Sequence, residues 1–169
     1  MAKRNEVLNV LDLLTEQHAH VDALIGVLEN GKGDRVAAFA ELADSLAAHA
    51  EVEEKIFYPR VMSAQTSELL HESVQEHLAM KRVLADLLAA KLDDDDFDAK
   101  LSVLKETVSH HAHEEEEQKL FPILRKLLTE DDLAALGNEV LALFETLMKS
   151  SPRNQVPRQT REAARLPSA

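Results

Sequence analysis

Apolar residues return every three or four positions through five successive stretches of this chain, and that spacing builds amphipathic helices rather than strands. From about Asn5 to Glu29 the recurring set is Val7, Leu11, Leu14, Val21, Leu24, Ile25 and Leu28, stopped by Asn30-Gly31-Lys32-Gly33-Asp34. A second helix beginning near Asp34 aligns Phe39, Leu42, Leu46, His49, Glu53 and Phe57 before Pro59. The third, roughly Ser67 to Lys91, turns Leu70, Val74, His77, Leu78, Leu84 and Leu88 to one side, and Asp93 to Asp98 supplies a turn and an N-cap. The fourth runs from about Phe97 to Leu128 with Leu101, Leu104, Val108, His111, Leu120, Leu124 and Leu127, and its middle is almost wholly His and Glu. Glu130 to Lys149 reads as a shorter fifth helix that caps the others through Leu133, Leu136, Val140, Leu143, Phe144 and Leu147.

Short connections between long helices favour antiparallel neighbours, so the expected fold is all-α: an antiparallel up-down-up-down four-helix bundle with a short fifth helix. Abundant Ala and Leu with only four Gly agree with this. Residues 1–149 make the bundle, large enough to bury a core without disulfides. Residues 150–169 carry three prolines, four arginines and hardly a large apolar side chain, so they are expected to form a disordered, flexible basic tail. The tail is by default a solubilising terminus and otherwise a surface for a protein partner.

The formal net charge of -12 repels phosphate backbones and anionic lipid, which argues against nucleic acid and membrane as main partners. No cysteine is present, so thiolate catalysis, iron-sulfur clusters and Cys-based zinc sites are excluded and any metal must bind nitrogen and oxygen. The opening MAKRNEVLNVLDLL reaches Asp12 and Glu16 without the apolar run or cleavage site of a signal peptide, and no stretch is apolar enough to span a bilayer. A cytoplasmic protein is expected. No Gly-flanked nucleophile or phosphate-cradling loop supports a hydrolase or kinase.

Polar residues interrupt the apolar faces in a pattern. His49 and Glu53 are four apart, hence one turn apart on the same face, and they point where the stripe points. One such pair is most simply read as a mutual hydrogen bond or an edge pair in water. Yet each of the four long helices offers a His on or beside its stripe: His18, His49, His77 and His111. A buried carboxylate and several buried imidazoles are costly unless a cation joins them. Imidazoles with carboxylates and no sulfur suit iron first, with manganese and zinc behind. The segments HAEVEEKIFYP and HHAHEEEEQKLFP also echo each other, which implies two helix hairpins of one kind.

These residues resemble the hemerythrin-like (HHE cation-binding) domains, whose pattern is a lone His, an H-x-x-x-E, another lone His and a second H-x-x-x-E. The likeness runs from about Val7 to Leu128: QHAHVDALI supplies His18, HAEVEEKIFYP supplies His49 and Glu53, QEHLAMKRVLADL supplies His77, and HHAHEEEEQKLFP supplies His111 with a following Glu. The resemblance implies two iron ions joined by an oxo or hydroxo bridge, with Glu53 and the helix-four carboxylate bridging and the histidines as terminal ligands.

The fourth motif departs from the second. Pro59 lies ten residues after His49, but Pro122 lies eleven after His111. Counting forward from His111 gives Glu115; counting back from Pro122 gives Glu116, which requires a one-residue π-bulge. Both remain candidates. His113 with Glu117 and His110 with Glu114 share the four-residue spacing, while His20 and His71 face elsewhere. Oxygen-carrying hemerythrins have a second histidine four before the lone one on helix three, where this chain has Ser73. The expected site therefore lacks a fifth histidine, which argues against simple reversible oxygen carriage.

Among other features, the Asp93 to Asp96 run lacks the spacing of a calcium loop and is read as a solvated linker. Tyr58, the only tyrosine, lies near the expected site and is read first as a packing residue. The leading functional expectation is a di-iron protein that binds or senses oxygen, peroxide or nitric oxide. The alternatives are a di-iron enzyme acting on peroxide or nitric oxide, and a helical interaction protein that a metal merely supports. A homodimer is compatible with either.

Overall fold

The structure is a computed structural model that describes residues 9–169. Asn5 to Leu8, where the first helix is expected to begin and Val7 to point inward, lie outside the described residues, as does most of the segment examined for a leader.

Helix α1 spans Val10–Asn30; the Asn9 side chain accepts from the Leu11 N–H at 2.9 Å, and Gly31 takes the left-handed conformation (φ 62) that ends it. Helix α2 comprises Arg35–Val52, a π-helical turn at Glu53–Phe57 and Tyr58–Val61. Val52, Glu53 and Tyr58 all hold right-handed helical backbone, so 35–61 is one continuous rod. Asp34 caps it through the Ala37 N–H. Helix α3 is Ser67–Ala89. Helix α4 comprises Phe97–Ser109, a π-helical stretch His110–Leu120 and Phe121–Leu127. Helix α5, Glu130–Met148, starts with a capping box between Thr129 and Asp132. No strand occurs among the described residues.

Two apolar clusters form the core, and a band of buried polar residues separates them. One contains Leu24, Leu28, Leu42, Leu46, Leu84, Leu87, Phe97 and Leu101; the other contains Leu11, Leu14, Phe57, Leu70, Val74, Leu120, Phe121 and Leu124. Successive long helices cross these clusters in opposite order. On α1 and α3 the chain passes from the second cluster through His18 or His77 to the first; on α2 and α4 it passes from the first through His49 or His111 to the second. The polar band therefore lies near mid-height, where water is excluded from both ends. Helix α5 packs lengthwise on α1 and α2 through Leu133, Leu136 and Val140.

The C-terminal segment differs from the sequence expectation. Residues 150–169 do not stand off as a disordered tail: Pro152–Arg158 forms a 3₁₀ helix against α2 and α3, and Val156 is fully buried in the first cluster. The Arg153 guanidinium pairs with Asp44, whose Oδ1 also accepts the Arg153 backbone N–H at 3.1 Å. Arg82 Nε donates to the Thr160 carbonyl at 3.0 Å. Composition undercounts such a segment because it needs no core of its own. One valine seated in an existing core, with Arg153 anchored before it and Thr160 held by Arg82 after it, is enough to hold it. Among the described residues no helix is long and apolar enough to cross a membrane.

Candidate metal centre

Six side chains from four helices meet in the polar band. His18, His49, Glu53 and Glu116 each contribute an atom to one group whose members all lie within 4.8 Å of one another; Glu53, His77 and His111 form a second such group. Glu53 belongs to both. His18 Nε2 is 3.2 Å from Glu116 Oε2, and His49 Nε2 is 3.1 Å from Glu53 Oε1. His77 Nε2 is 3.1 Å from Glu53 Oε2 and 3.0 Å from His111 Nε2.

The backbone explains how Glu116 arrives there. Five-residue hydrogen bonding widens the turn through His110–Leu120, and the Phe121 N–H donates to the Glu116 carbonyl five residues back. His111 and Glu116 then share a side. Glu115 is brought to neither group: it is also buried, but its Oε1 accepts from Lys119 Nζ at 2.5 Å. The widening in helix α4 runs both before and after its glutamate, whereas helix α2 carries it only after. The Tyr58 N–H donates to the Glu53 carbonyl across the turn Glu53–Phe57. Consequently EEKIFYP and EEQKLFP superpose as Glu53 on Glu116, Glu54 on Glu117 and Tyr58 on Phe121.

Each histidine turns Nε2 inward and is held from behind through Nδ1. His18 Nδ1 donates to Glu117 Oε1 at 2.7 Å, His49 Nδ1 to Gln17 Oε1 at 2.8 Å, His77 Nδ1 to Glu54 Oε1 at 3.0 Å, and His111 Nδ1 to Glu76 Oε2 at 2.8 Å. For His18, His77 and His111 the hydrogen on Nδ1 follows from acceptor-only carboxylates, while Gln17 presents its amide oxygen to His49; such outer contacts fix ring orientation in metal sites. The four partners obey the internal repeat: the residue before each lone histidine (Gln17, Glu76) holds the histidine of a paired motif. The residue after each inward glutamate (Glu54, Glu117) holds a lone histidine. Sequence reasoning gave none of these four this role, naming Glu117 only for its spacing from His113, although each is a direct neighbour of a candidate ligand.

Tyr58 is not only a packing residue. Its hydroxyl is buried, donates to Glu116 Oε1 at 2.9 Å and lies 3.2 Å from Glu53 Oε2. His77 and His111 Nε2 are each 3.4 Å away. Burial, reinforced by Glu116 and Glu53, pushes the phenol well above its ordinary value, so it keeps its proton. Ser73 Oγ donates to the Leu69 carbonyl at 2.9 Å, and His20 and His71 are exposed. His113 and His110 bond Glu117 and Glu76 respectively, outside the two inner groups.

The charges balance locally in the protein without metal. Burial works to raise Glu53, yet His49, His111 and His77 hold it well below the ordinary carboxylate value. Burial works to lower His111, but Glu116, Glu53 and Glu76 carry it up to about 10. His18 and His77 move upward against burial for the same reason, through Glu116 and Glu53 respectively. Protons on the imidazoles thus occupy the place that a cation would take. Even so, His18 Nε2, His49 Nε2, Glu53 Oε1 and Glu116 Oε2 are buried with no hydrogen-bond partner of adequate geometry. All four belong to the first group. The donor set fits a hard or borderline cation: imidazole nitrogen, carboxylate oxygen and no sulfur.

The chain resembles known proteins in sequence and in fold. The family model described as the hemerythrin HHE cation binding domain matches residues 9–124. A solved structure of a hemerythrin HHE cation binding domain-containing protein from Mycobacterium kansasii is similar in fold, with a TM-score of 0.73 and 22% identity, covering 90% of this chain and 94% of that one. A protein named DNA nickase from Nostoc sp. is 28% identical over 137 residues, which are 80% of this chain but 39% of that protein.

Proposed function

The chain belongs to the hemerythrin HHE cation-binding domain family, and from that premise we propose that it is a non-haem di-iron protein that binds or senses oxygen, peroxide or nitric oxide. The observation that carries this reading is the set of four buried, unpartnered atoms on His18, His49, Glu53 and Glu116. The His18–Glu116 and His49–Glu53 contacts leave these two carboxylate oxygens and two imidazole nitrogens close together in a dry interior without a well-formed hydrogen bond, and a cation among them would engage all four.

One ion would be held by His18, His49, Glu53 and Glu116, and the second by His77, His111 and the other oxygen of Glu53, with Glu116 Oε1 and Tyr58 alongside. Iron is the reading that suits nitrogen and carboxylate donors around a shared glutamate, ahead of manganese and zinc. When bound, ferrous iron supplies a coordination position and electrons to a small ligand. The chain's own residues do the rest. Gln17, Glu54, Glu76 and Glu117 hold the rings in register, the two apolar clusters keep bulk water out, and Tyr58 holds a proton at Glu116. We read the four long helices as an up-down-up-down bundle, supported by the opposite order in which they cross the two clusters.

A second reading, a di-iron enzyme that decomposes peroxide or reduces nitric oxide, is favoured by Tyr58, because a buried protonated phenol is a proton source beside the site. The named action of the Nostoc protein is not taken over. The aligned part is 39% of that protein, and a net charge of -12 opposes binding to phosphate backbones.

Anaerobic titration of ferrous-loaded protein with nitric oxide, followed by visible absorption, tests the proposal. The parent and His20→Ala should respond in proportion to their iron, while His49→Ala should have lost both metal and response. Ferrous-loaded protein that responds to neither nitric oxide, oxygen nor peroxide would refute it. Catalytic turnover of peroxide would select the enzyme reading.

A further inference from the structure

The internal repeat sets two outer carboxylates in equivalent places but surrounds them differently. Glu117 and Glu54 each follow an inward glutamate and each hold a lone histidine, His18 and His77. On the first side Glu117 has His113 as its other partner: His113 Nδ1 lies 3.1 Å from Glu117 Oε2, and its Nε2 lies 2.8 Å from Asp22 Oδ2. Asp22 stands four residues after His18, and His113 four before Glu117. On the second side those two places hold Lys81 and Ala50. A methyl group replaces the imidazole and a cation replaces the carboxylate, and the cation reaches Glu54 directly. Lys81 Nζ donates to Glu54 Oε1 at 2.7 Å and to Oε2 at 2.8 Å.

The two arrangements differ in water and in charge. Asp22 is exposed and His113 half-buried, whereas Lys81 is only 6% exposed, a position that an ammonium holds only against a close counter-charge. Helical spacing aims it: Lys81 lies one turn beyond His77 on α3, so ring and ammonium meet Glu54 from the same helix. Gln159 and Ala164 of the C-terminal segment line one cleft with Glu54 and Lys81. A carboxylate with both oxygens on one ammonium has less negative charge left to draw on the His77 Nδ1 hydrogen. Glu117 keeps more, because its imidazole neighbour is itself balanced by Asp22. The hydrogen bonds agree in length: His18 Nδ1 is 2.7 Å from Glu117, and His77 Nδ1 is 3.0 Å from Glu54.

We propose that Lys81 is a positioning residue that acts on the centre through Glu54: it fixes the carboxylate against His77 and withholds negative charge from that ring, so that His77 is a weaker electron donor than His18. The position at His77 and His111, which also has three protein donors against four at the other, is then the one that favours ferrous over ferric iron. The consequence for iron rests on the di-iron reading; the Lys81–Glu54–His77 relation does not.

Two measurements on the full chain provide the test: spectroelectrochemical titration when iron-loaded, and the proton resonance of the His77 Nδ1–H when metal-free. In Lys81→Met, Glu54 should draw harder on His77. The resonance should move downfield, and the ferric form should gain about tenfold over the ferrous, a fall of about 59 mV in a one-electron potential. Lys81→Arg, which keeps the charge, should stay with the parent. Glu54→Gln should raise the potential, and adding Lys81→Met to it should change nothing further, because the group through which Lys81 acts is gone. Should Lys81→Met lose its helical circular dichroism, Lys81→Gln, which keeps a donor without the charge, takes its place with the same expected fall. An unchanged potential, or an equal fall with Glu54→Gln present, would overturn the proposal, the latter by showing a long-range charge effect only. A parent chain that takes up no iron would count against the metal centre, and the resonance then decides alone: a downfield move in Lys81→Met supports the proposal and no move overturns it.

Discussion

Replacing Glu116 and Glu115 separately tests the register of helix α4. Glu116 is fully buried, its Oε2 is 3.2 Å from His18 Nε2, and its Oε1 accepts from Tyr58 at 2.9 Å. Removing it takes a carboxylate from the group that includes His18, His49 and Glu53. Outer partners of metal ligands already change affinity about 10–100-fold, so loss of a direct ligand should reach at least the upper end of that range. A hundredfold loss removes about 2.7 kcal/mol of metal-linked stability. For a domain of this size, where 1 kcal/mol moves Tm by roughly 2–4 °C, that is a drop of about 5–11 °C in the difference between iron-loaded and metal-free melting temperatures. Glu115 bonds the exposed Lys119 and belongs to neither inner group. Glu115→Ala should therefore keep the difference between iron-loaded and metal-free melting temperatures, whatever it does to both curves together. Melting of each variant with and without iron is the assay. Glu115→Ala abolishing the difference, with Glu116→Ala preserving it, would refute the register and the π-helical explanation together.

Other expectations are separable. Glu76→Ala should weaken iron binding about 10–100-fold, read by competition with a chelator, because His111 loses the acceptor on Nδ1; unchanged affinity would deny Glu76 that role. Val156→Ala should lower stability by about 2 kcal/mol, read as a shifted urea midpoint, since two buried methyl groups are removed from the first cluster; no shift would mean the C-terminal segment does not pack in solution. His111 sits at about 10 in the metal-free protein, above its ordinary 6.5, so its protonation stabilises the folded chain fully below about pH 6.5, and this contribution is lost as pH rises through about 10. Urea midpoints of metal-free protein should fall between pH 7 and pH 10, and iron loading near pH 7 should release protons into a weakly buffered solution. Flat midpoints and no proton release would contradict it.

The parts of this centre that were legible in the sequence are those that obey ordinary helical spacing. His49 and Glu53 lie one α-turn apart, so their shared face could be read directly, and the four lone or leading histidines followed from the apolar stripes they interrupt. The offset between Pro59 and Pro122 signalled an extra residue on helix α4, but not its extent. The π-helical stretch covers His110–Leu120, and a second one at Glu53–Phe57 left no mark because it follows the glutamate and disturbs no spacing before it. Tyr58 was placed near the site but not in it, since a five-residue turn rather than a four-residue one sets it beneath Glu53. Gln17, Glu54, Glu76 and Glu117 escaped because their partners lie on other helices, and only the crossing of helices decides which neighbour reaches which ring. The C-terminal segment was misread from composition, which weighs a segment by its own apolar content and not by the single valine that enters a core built elsewhere.

The central claim is that one shared carboxylate, Glu53, joins two cation positions in one bundle. Metal analysis of protein loaded with ferrous iron and freed of loosely bound metal tests it most directly, with Glu53→Ala measured beside the parent. Two irons per chain in the parent, falling below one in the variant, is the predicted result. One iron or fewer in the parent, or two in Glu53→Ala, would contradict the account.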